Sequence, residues 1–290
     1  MSPKVARRLR PGAALIPMSG AVQIRIGDEE VHVLRTTEPD RLMRALRRLD
    51  GATPRVVAVE PIDAGDAHLL GDLIRDLDAA GLLAPDADPD EAARLRATRI
   101  AVLGHARGAE LAVQVLAEHG LGAALIARER LAAEAGAASA LLCVTEAPDL
   151  ALCFEVNDAA CRARIPCLFA DLSHGRHATI GPFYVPGDGA CLRCLRARLH
   201  ENTAAFDELV AAERAMLDSG LPLPAPGCSP SQRHVAVGLA AGEIAAFVTR
   251  QRPLRTLNRA ITVAFEAAEM WSEPVWRAPW CVSCGTGSCV

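Results

Sequence analysis

The spacing of hydrophobic and polar positions divides this chain near residue 99. In the first part, two short alternating segments, 21–26 and 31–35, flank Gly27-Asp28. Period-two alternation around a Gly-Asp turn predicts a β-hairpin, and Ala14-Leu15-Ile16 offers a third strand. Leu42, Met43, Leu46 and Leu49 then return at helical spacing behind Thr37 and Asp40, which are placed as a capping pair. A longer helix is predicted over 66–80. Its Leu69, Leu70, Leu73, Ile74 and Leu77 form one apolar stripe, and Gly81 ends it. Between the helices, 55–60 is β-branched enough for a strand yet placed where a third helix would fit. Residues 84–91 are acidic, contain two prolines and show no period, so they read as linker. This part has the element order of a winged helix.

From Arg99 the pattern changes to alternating strands and helices. Buried-type strands are predicted at 99–103, 122–126, 138–145 and 166–171, with helices at 108–119 and 148–162 between them. Such alternation implies a mainly parallel, doubly wound sheet. The domains are therefore drawn as 1–85, a linker over 86–98, and 99–290.

Charge and composition narrow the possible partners. At 290 residues and 51% hydrophobic content, the chain can bury a sizeable core. A net charge of −4 gives nucleic acid or a membrane surface no electrostatic hold. The 66–80 helix sets Arg75 against Asp66, Asp72, Asp76 and Asp78, the wrong sign for phosphate. No apolar run approaches the ~20 residues of a membrane span. The basic N-terminus is interrupted by Pro11, Gly12 and Pro17 and does not resemble a signal peptide. Ten cysteines without such a signal read as reduced thiols plus a metal site, and place the protein in the cytoplasm. Lys4 is the only lysine.

Four of the cysteines form two knuckles, Cys191-Leu-Arg-Cys194 and Cys281-Val-Ser-Cys284. Each pair can take two corners of a tetrahedron, and together they predict a closed, structural zinc site. The first turn of the sheet, Gly104-His-Ala-Arg-Gly-Ala109, departs from a phosphate-binding turn. That turn wants glycine at its first, third and sixth positions, but Ala106 and Ala109 hold the latter two. The second strand runs into Ala127-Arg128, without an acid for a ribose hydroxyl. No ATP is expected on this chain.

The run 139–149, then 157–161, Ile165-Pro166, Gly181-Pro182, the first knuckle and the small-residue helix 238–246 resemble the ubiquitin-activating, ThiF-like superfamily over 99–284. Active members adenylate a peptide C-terminus with a complete glycine turn, an acid, a lysine, an arginine and a metal-binding aspartate. Asp149 matches the aspartate, while the lysine has no counterpart here and arginine does not reproduce its point-donor geometry. The resemblance is thus to the degenerate branch, the partner proteins of YcaO cyclodehydratases in azole-containing peptide biosynthesis, thiopeptides included. It implies a RiPP recognition element in the first ninety residues, a non-catalytic role and a homodimer. It further implies that a precursor leader peptide adds as a strand to Val31, His32, Val33, Leu34 and Arg35, beside Leu69, Leu70, Leu73, Ile74, Asp76 and Leu77. By the residues alone, this segment serves either peptide capture or packing. The alternative function is an active ThiF-type adenylating enzyme.

Other residues carry weaker signals. Cys228 lies in a loop where a thioester cysteine is conceivable, with a free thiol as the plain reading. Cys289 follows the second knuckle and reads as a tail residue. His174 and His177 read as surface histidines. Cys143, Cys153, Cys161 and Cys167 read as small core residues. The helix 204–217 shows Phe206, Leu209, Val210, Met216 and Leu217 on one face, for a core or a dimer surface, and 220–227 is a proline-rich crossing loop.

Overall fold

The computed structural model describes residues 9–10, 12–27, 30–49, 64–84, 91–250 and 252–285. The chain separates into two compact units, Met1–Glu91 and Ala92–Val290.

In the first unit, strands β1 (Ala13–Met18), β2 (Ala21–Ile26) and β3 (Glu30–Arg35) form an antiparallel sheet in that order. The register sets Ile24 opposite both Leu15 and His32. Alternation therefore sends Val22 and Ile24 into a core with Leu42, Met43, Leu46, Leu73 and Leu77 from helices α1 (Pro39–Arg47) and α2 (Ala64–Ala79). Each such side chain contributes about 1.5–3 kcal/mol when fully buried. Helix α1 starts at Pro39, whose fixed φ suits a first turn. Asp40 at that end and Arg44 and Arg47 at the other match the helix dipole. The expected capping pair is corrected: Glu38 is the N-cap and uses no side chain there, while Thr36 Oγ1 accepts the Glu38 N–H at 3.0 Å. The segment 55–60 lies outside the described residues, and the described part of this unit is a three-stranded sheet with two helices.

The second unit opens with α3 (Glu91–Arg96), where linker was expected, and Leu95 of this helix packs on the sheet's core. Then follow β4 (Ile100–Gly104), α4 (Ala106–Glu118), β5 (Ala123–Leu125), α5 (Leu131–Glu134), β6 (Ala140–Thr145), α6 (Leu150–Ala163) and β7 (Cys167–Asp171). Beyond them come β8 (His177–Tyr184), α7 (Leu192–Glu201), α8 (Phe206–Ser219), α9 (Pro230–Thr249), β9 (Arg259–Ala264) and β10 (Glu269–Pro274). The seven strands are ordered β10-β9-β8-β7-β6-β4-β5. The four parallel strands are those expected, but β8, β9 and β10 extend the sheet antiparallel and make it mixed. The β9–β10 turn has no glycine or proline to betray it. Ala268 there adopts φ 53°, a left-handed conformation that usually calls for glycine.

Pleating sends successive residues of the central strands to opposite faces. Ile100, Val102, Leu142, Val144 and Leu168 meet α4 and α9 on one side. Leu103, Leu141, Cys143, Cys167 and Phe169 meet α6 and α7 on the other. Helix α9 is fully buried at Ala236, Val237, Ala240, Ala241 and Ile244, mostly small side chains that permit a close approach, and a complete capping box of Ser229 and Gln232 starts it. Among the described residues, no helix is long and apolar enough to cross a membrane.

Candidate functional site

The two knuckles converge. Cys191 stands at the N-cap of α7 and Cys194 in its first turn, while Cys281 and Cys284 lie in the turns after β10. The sulfur pairs Cys191–Cys281 and Cys194–Cys284 are each 3.5 Å apart and Cys191–Cys194 is 3.9 Å, with all four sulfurs within 4.8 Å of one another. A tetrahedral ion with sulfur bonds of about 2.3 Å needs sulfurs spaced about 3.8 Å apart. The four cysteines are thus close enough together to hold one metal ion. Hydrogen bonding within the cluster splits the four thiols: bonding with Cys191 brings Cys194 down to about 6 and lowers Cys281, while Cys191 and Cys284 are raised. The Ala278 N–H donates to Cys194 Sγ at 3.4 Å. Gly285 closes the second knuckle with its N–H on Cys281 O, and a Cβ there would lie 2.4 Å from that oxygen.

A pair of residues on α6 orients both knuckles. Asn157 Oδ1 accepts the Leu192 N–H at 2.9 Å, fixing the start of α7. Arg193 grips Asp158 with two bonds of 3.0 and 2.7 Å, and Ser283 Oγ donates to the same carboxylate at 2.5 Å. Burial pushes Asp158 up, but the bonds from Arg193, Ser283 and Asn157 outweigh it and hold the carboxyl below its ordinary range. The Arg193 guanidinium also lies 3.9 Å over the Phe154 ring. Sequence reasoning missed this bracket. The segment 157–161 entered only as part of the family resemblance, with no role assigned to Asn157 or Asp158.

At the first turn of the sheet, Gly104 has φ +134°, and a Cβ there would lie 1.8 Å from Val144 O. The glycine is therefore required by the backbone itself. His105 fills the space beyond it. Its Nδ1 accepts the N–H groups of Glu146 and Ala147 at 2.9 and 3.1 Å, which leaves the proton on Nε2, 3.5 Å from Asp149 Oδ2. Asp149, expected as the surviving metal-binding aspartate, is buried and caps α6 by accepting the Leu152 N–H at 3.0 Å. Glu146 is paired with Arg233 and accepts the Cys228 thiol at 3.5 Å. Burial first, then the Glu146 charge, raises the Cys228 thiol, the opposite of what a nucleophile needs. His105, Glu146 and Arg233 were not singled out from sequence, because their partners lie tens of residues away.

The residues expected to hold a peptide divide by face. Strand β3 is an edge of its sheet, with Val31, Val33 and Arg35 exposed and His32 and Leu34 half-buried toward the helices. On α2, Leu70 and Ile74 are half-buried and Asp76 is exposed. Leu73 and Leu77, at 7% and 1% exposure, belong to the unit's core. The structure places Leu69 within α2. Cys143, Cys161 and Cys167 are buried as expected, and Cys153 is half-buried. His174 and His177 stack at 4.5 Å, and burial followed by the His174 charge lowers His177. In α8 only Met216 of the expected apolar face is buried, while Phe206 and Leu217 are exposed. A cavity of about 340 Å³ opens at the carboxyl ends of β6 and β7, between Thr145, Asp171 and Ser173 on one side and Phe169, Leu195 and Met216 on the other. Cys289 lies outside the described residues.

Solved structures share this architecture. A heterocyclase in complex with substrate and cofactor superposes with a TM-score of 0.72 at 18% identity, over 96% of this chain and 39% of that one. The heterocyclase TruD gives 0.72 at 20% identity, over 97% and 43%. E. coli MccB with succinimide gives 0.61 at 14% identity, over 96% and 99%. What is shared at these identities is the ThiF-like fold. The chain spans about two fifths of the length of the two heterocyclases. No protein-family model matches the chain, and no curated protein matches it in sequence.

Proposed function

We propose that this protein is a leader-binding adaptor in the maturation of a ribosomally made peptide. It presents the Cys, Ser or Thr residues of the precursor to a YcaO-type cyclodehydratase, which makes azolines from them. The observation that carries the reading is β3, an edge of its sheet among the described residues, which exposes Val31 and Val33 in a fold shared with heterocyclases. An unpaired edge offers main-chain hydrogen bonds to an added strand, and alternate side chains set selectivity. His32, Leu34, Leu70 and Ile74 line one side of that edge, and Asp76 adds a carboxylate.

The cysteine cluster would hold zinc as a closed structural site, because four thiolates leave no position for water or substrate. The first turn of the sheet supports a non-catalytic role. His105 of that turn already accepts the amides of Glu146 and Ala147 from the loop after β6, and Glu146 is paired with Arg233, so these groups are taken up within the protein. MccB has been crystallised with ATP, which makes adenylation the competing reading of the same fold.

The test is leader binding by the full-length chain, followed by fluorescence polarisation with the labelled leader of a co-encoded precursor. We expect binding that Val33→Asp weakens at least tenfold with the circular dichroism unchanged, and no ATP–pyrophosphate exchange by the chain alone. Absence of leader binding together with exchange would overturn the proposal in favour of an adenylating enzyme.

A further inference from the structure

The cavity at the carboxyl ends of β6 and β7 has two chemically distinct walls. Leu195, Leu209 and Met216, from α7 and α8, make one of them apolar, while Thr145, Asp149, Asp171 and Ser173 make the other polar. At about 340 Å³ the space lies at the small end of the range for ligand pockets. The apolar wall is held in place. Glu213 of α8, itself buried, pairs with Arg196 and His200 of α7, the latter at 2.9 Å, and the Leu223 N–H bonds Pro148 O at 2.9 Å.

The polar wall carries negative charge with little to match it. Asp149 is buried, and the basic group nearest its Oδ2 is His105 Nε2 at 3.5 Å. Asp171 Oδ1 accepts Thr145 Oγ1 at 3.3 Å and the Ser173 N–H at 2.9 Å, and His174 Nε2 stands 3.7 Å from Oδ2. Among the described residues neither carboxylate has an arginine within ion-pair distance, and Lys4 is the only lysine of the chain. Arg196 also lines the cavity with its Nε unpartnered, but Glu213 offsets its charge. Both carboxylates bear on one place. The Cys153 thiol of the same cavity is raised by its bond with Cys143, by burial, and by the charges of Asp171 and Asp149.

Ser173 gives an independent sign of a ligand. It lines the cavity at 2% exposure, and its Oγ makes no hydrogen bond among the described residues. A buried hydroxyl left unsatisfied costs free energy that a ligand's donor would recover. An ammonium has three donors and no acceptor, which suits one hydroxyl oxygen and two carboxylates. Its charge also offsets that of a buried carboxylate such as Asp149. An anionic ligand would instead meet Asp149 and Asp171 as like charges.

We propose that this cavity binds a small primary amine, its ammonium against Ser173, Asp171 and Asp149 and its apolar body against Leu195, Leu209 and Met216. The site belongs to the second unit and is separate from the peptide-binding strand proposed above. The full-length chain, labelled with carbon-13 at its methionine methyls, is titrated with phenethylamine. Hydrocinnamate and phenethyl alcohol, which carry a carboxylate or a hydroxyl on nearly the same body, are titrated separately. The Met216 methyl, identified by its loss in Met216→Leu, is expected to shift saturably with the amine, and the other two ligands to bind at least about tenfold more weakly. Asp171→Asn should weaken the amine about tenfold, the scale of one hydrogen bond to a charge, and Ser173→Ala several-fold, each with circular dichroism unchanged. Leu209→Trp, which fills the cavity from its apolar wall, should abolish the shift. A Met216 methyl that the amine does not move overturns the inference. So does binding of the carboxylate or the alcohol as tight as the amine's, or amine affinity that Asp171→Asn leaves at the parent's value.

Discussion

Asp158 shows how much one carboxylate can organise. It joins Arg193 inside the first knuckle to Ser283 inside the second, the latter 125 residues beyond Asp158 itself. Asp158→Ala leaves the Arg193 charge without its partner, and should lower stability by about 1–3 kcal/mol, the range for charged hydrogen bonds, with faster metal loss to a chelator. Because the carboxyl is held below its ordinary range in the folded state, its contribution is present above that range and is lost as pH falls through the lowered value. The stability gap between parent and variant should therefore close under acid and be full at neutral pH, as urea titrations at several pH values would show. The cysteine ligands were legible in the sequence because metal geometry imposes a short, fixed spacing. Asp158 and His105 were not, because a hydrogen bond between distant segments leaves no periodic mark.

Among elements, the hairpin of β2 and β3, the parallel strands and α6 could be read from alternation and helical spacing. The antiparallel strands β8, β9 and β10 could not. Gly181 and Pro182 interrupt the strand pattern inside β8, and the four-residue turn at 265–268 carries neither glycine nor proline. The stripe on α2 was recognised, but spacing cannot tell a core-facing leucine from a ligand-facing one. Packing decides that Leu73 and Leu77 point inward. The second knuckle follows β10, and Val275 at its approach is buried with Cys191, Cys194 and Cys284 in one cluster. Cys194→Ser or Cys284→Ser should thus loosen this end of the sheet, seen as faster amide exchange in β9 and β10. The exchange of β2 and β3, in the other unit, should stay as it is.

For the molecule as a whole, the two compact units predict separable responses. A strong chelator should lower the melting temperature of the second unit while leader affinity, which the proposed function assigns to the first, changes less than twofold by fluorescence polarisation. Leader binding that falls in step with metal loss would show that the units do not act independently.

The cysteine cluster also has a consequence in polymer terms. It clasps together segments 90 residues apart, so the chain between them is a closed loop whenever the metal is bound. The entropy of closing a loop grows only with the logarithm of its length, about 0.6 kcal/mol for each doubling. Lengthening an already long loop is therefore nearly free, provided packed residues are left alone. Leu221, exposed just beyond the end of α8, is such a place. Ten Gly-Ser residues inserted after it should cost less than about 1 kcal/mol in urea unfolding. By that route the intervening segment can gain or lose chain while the clasp stays shut.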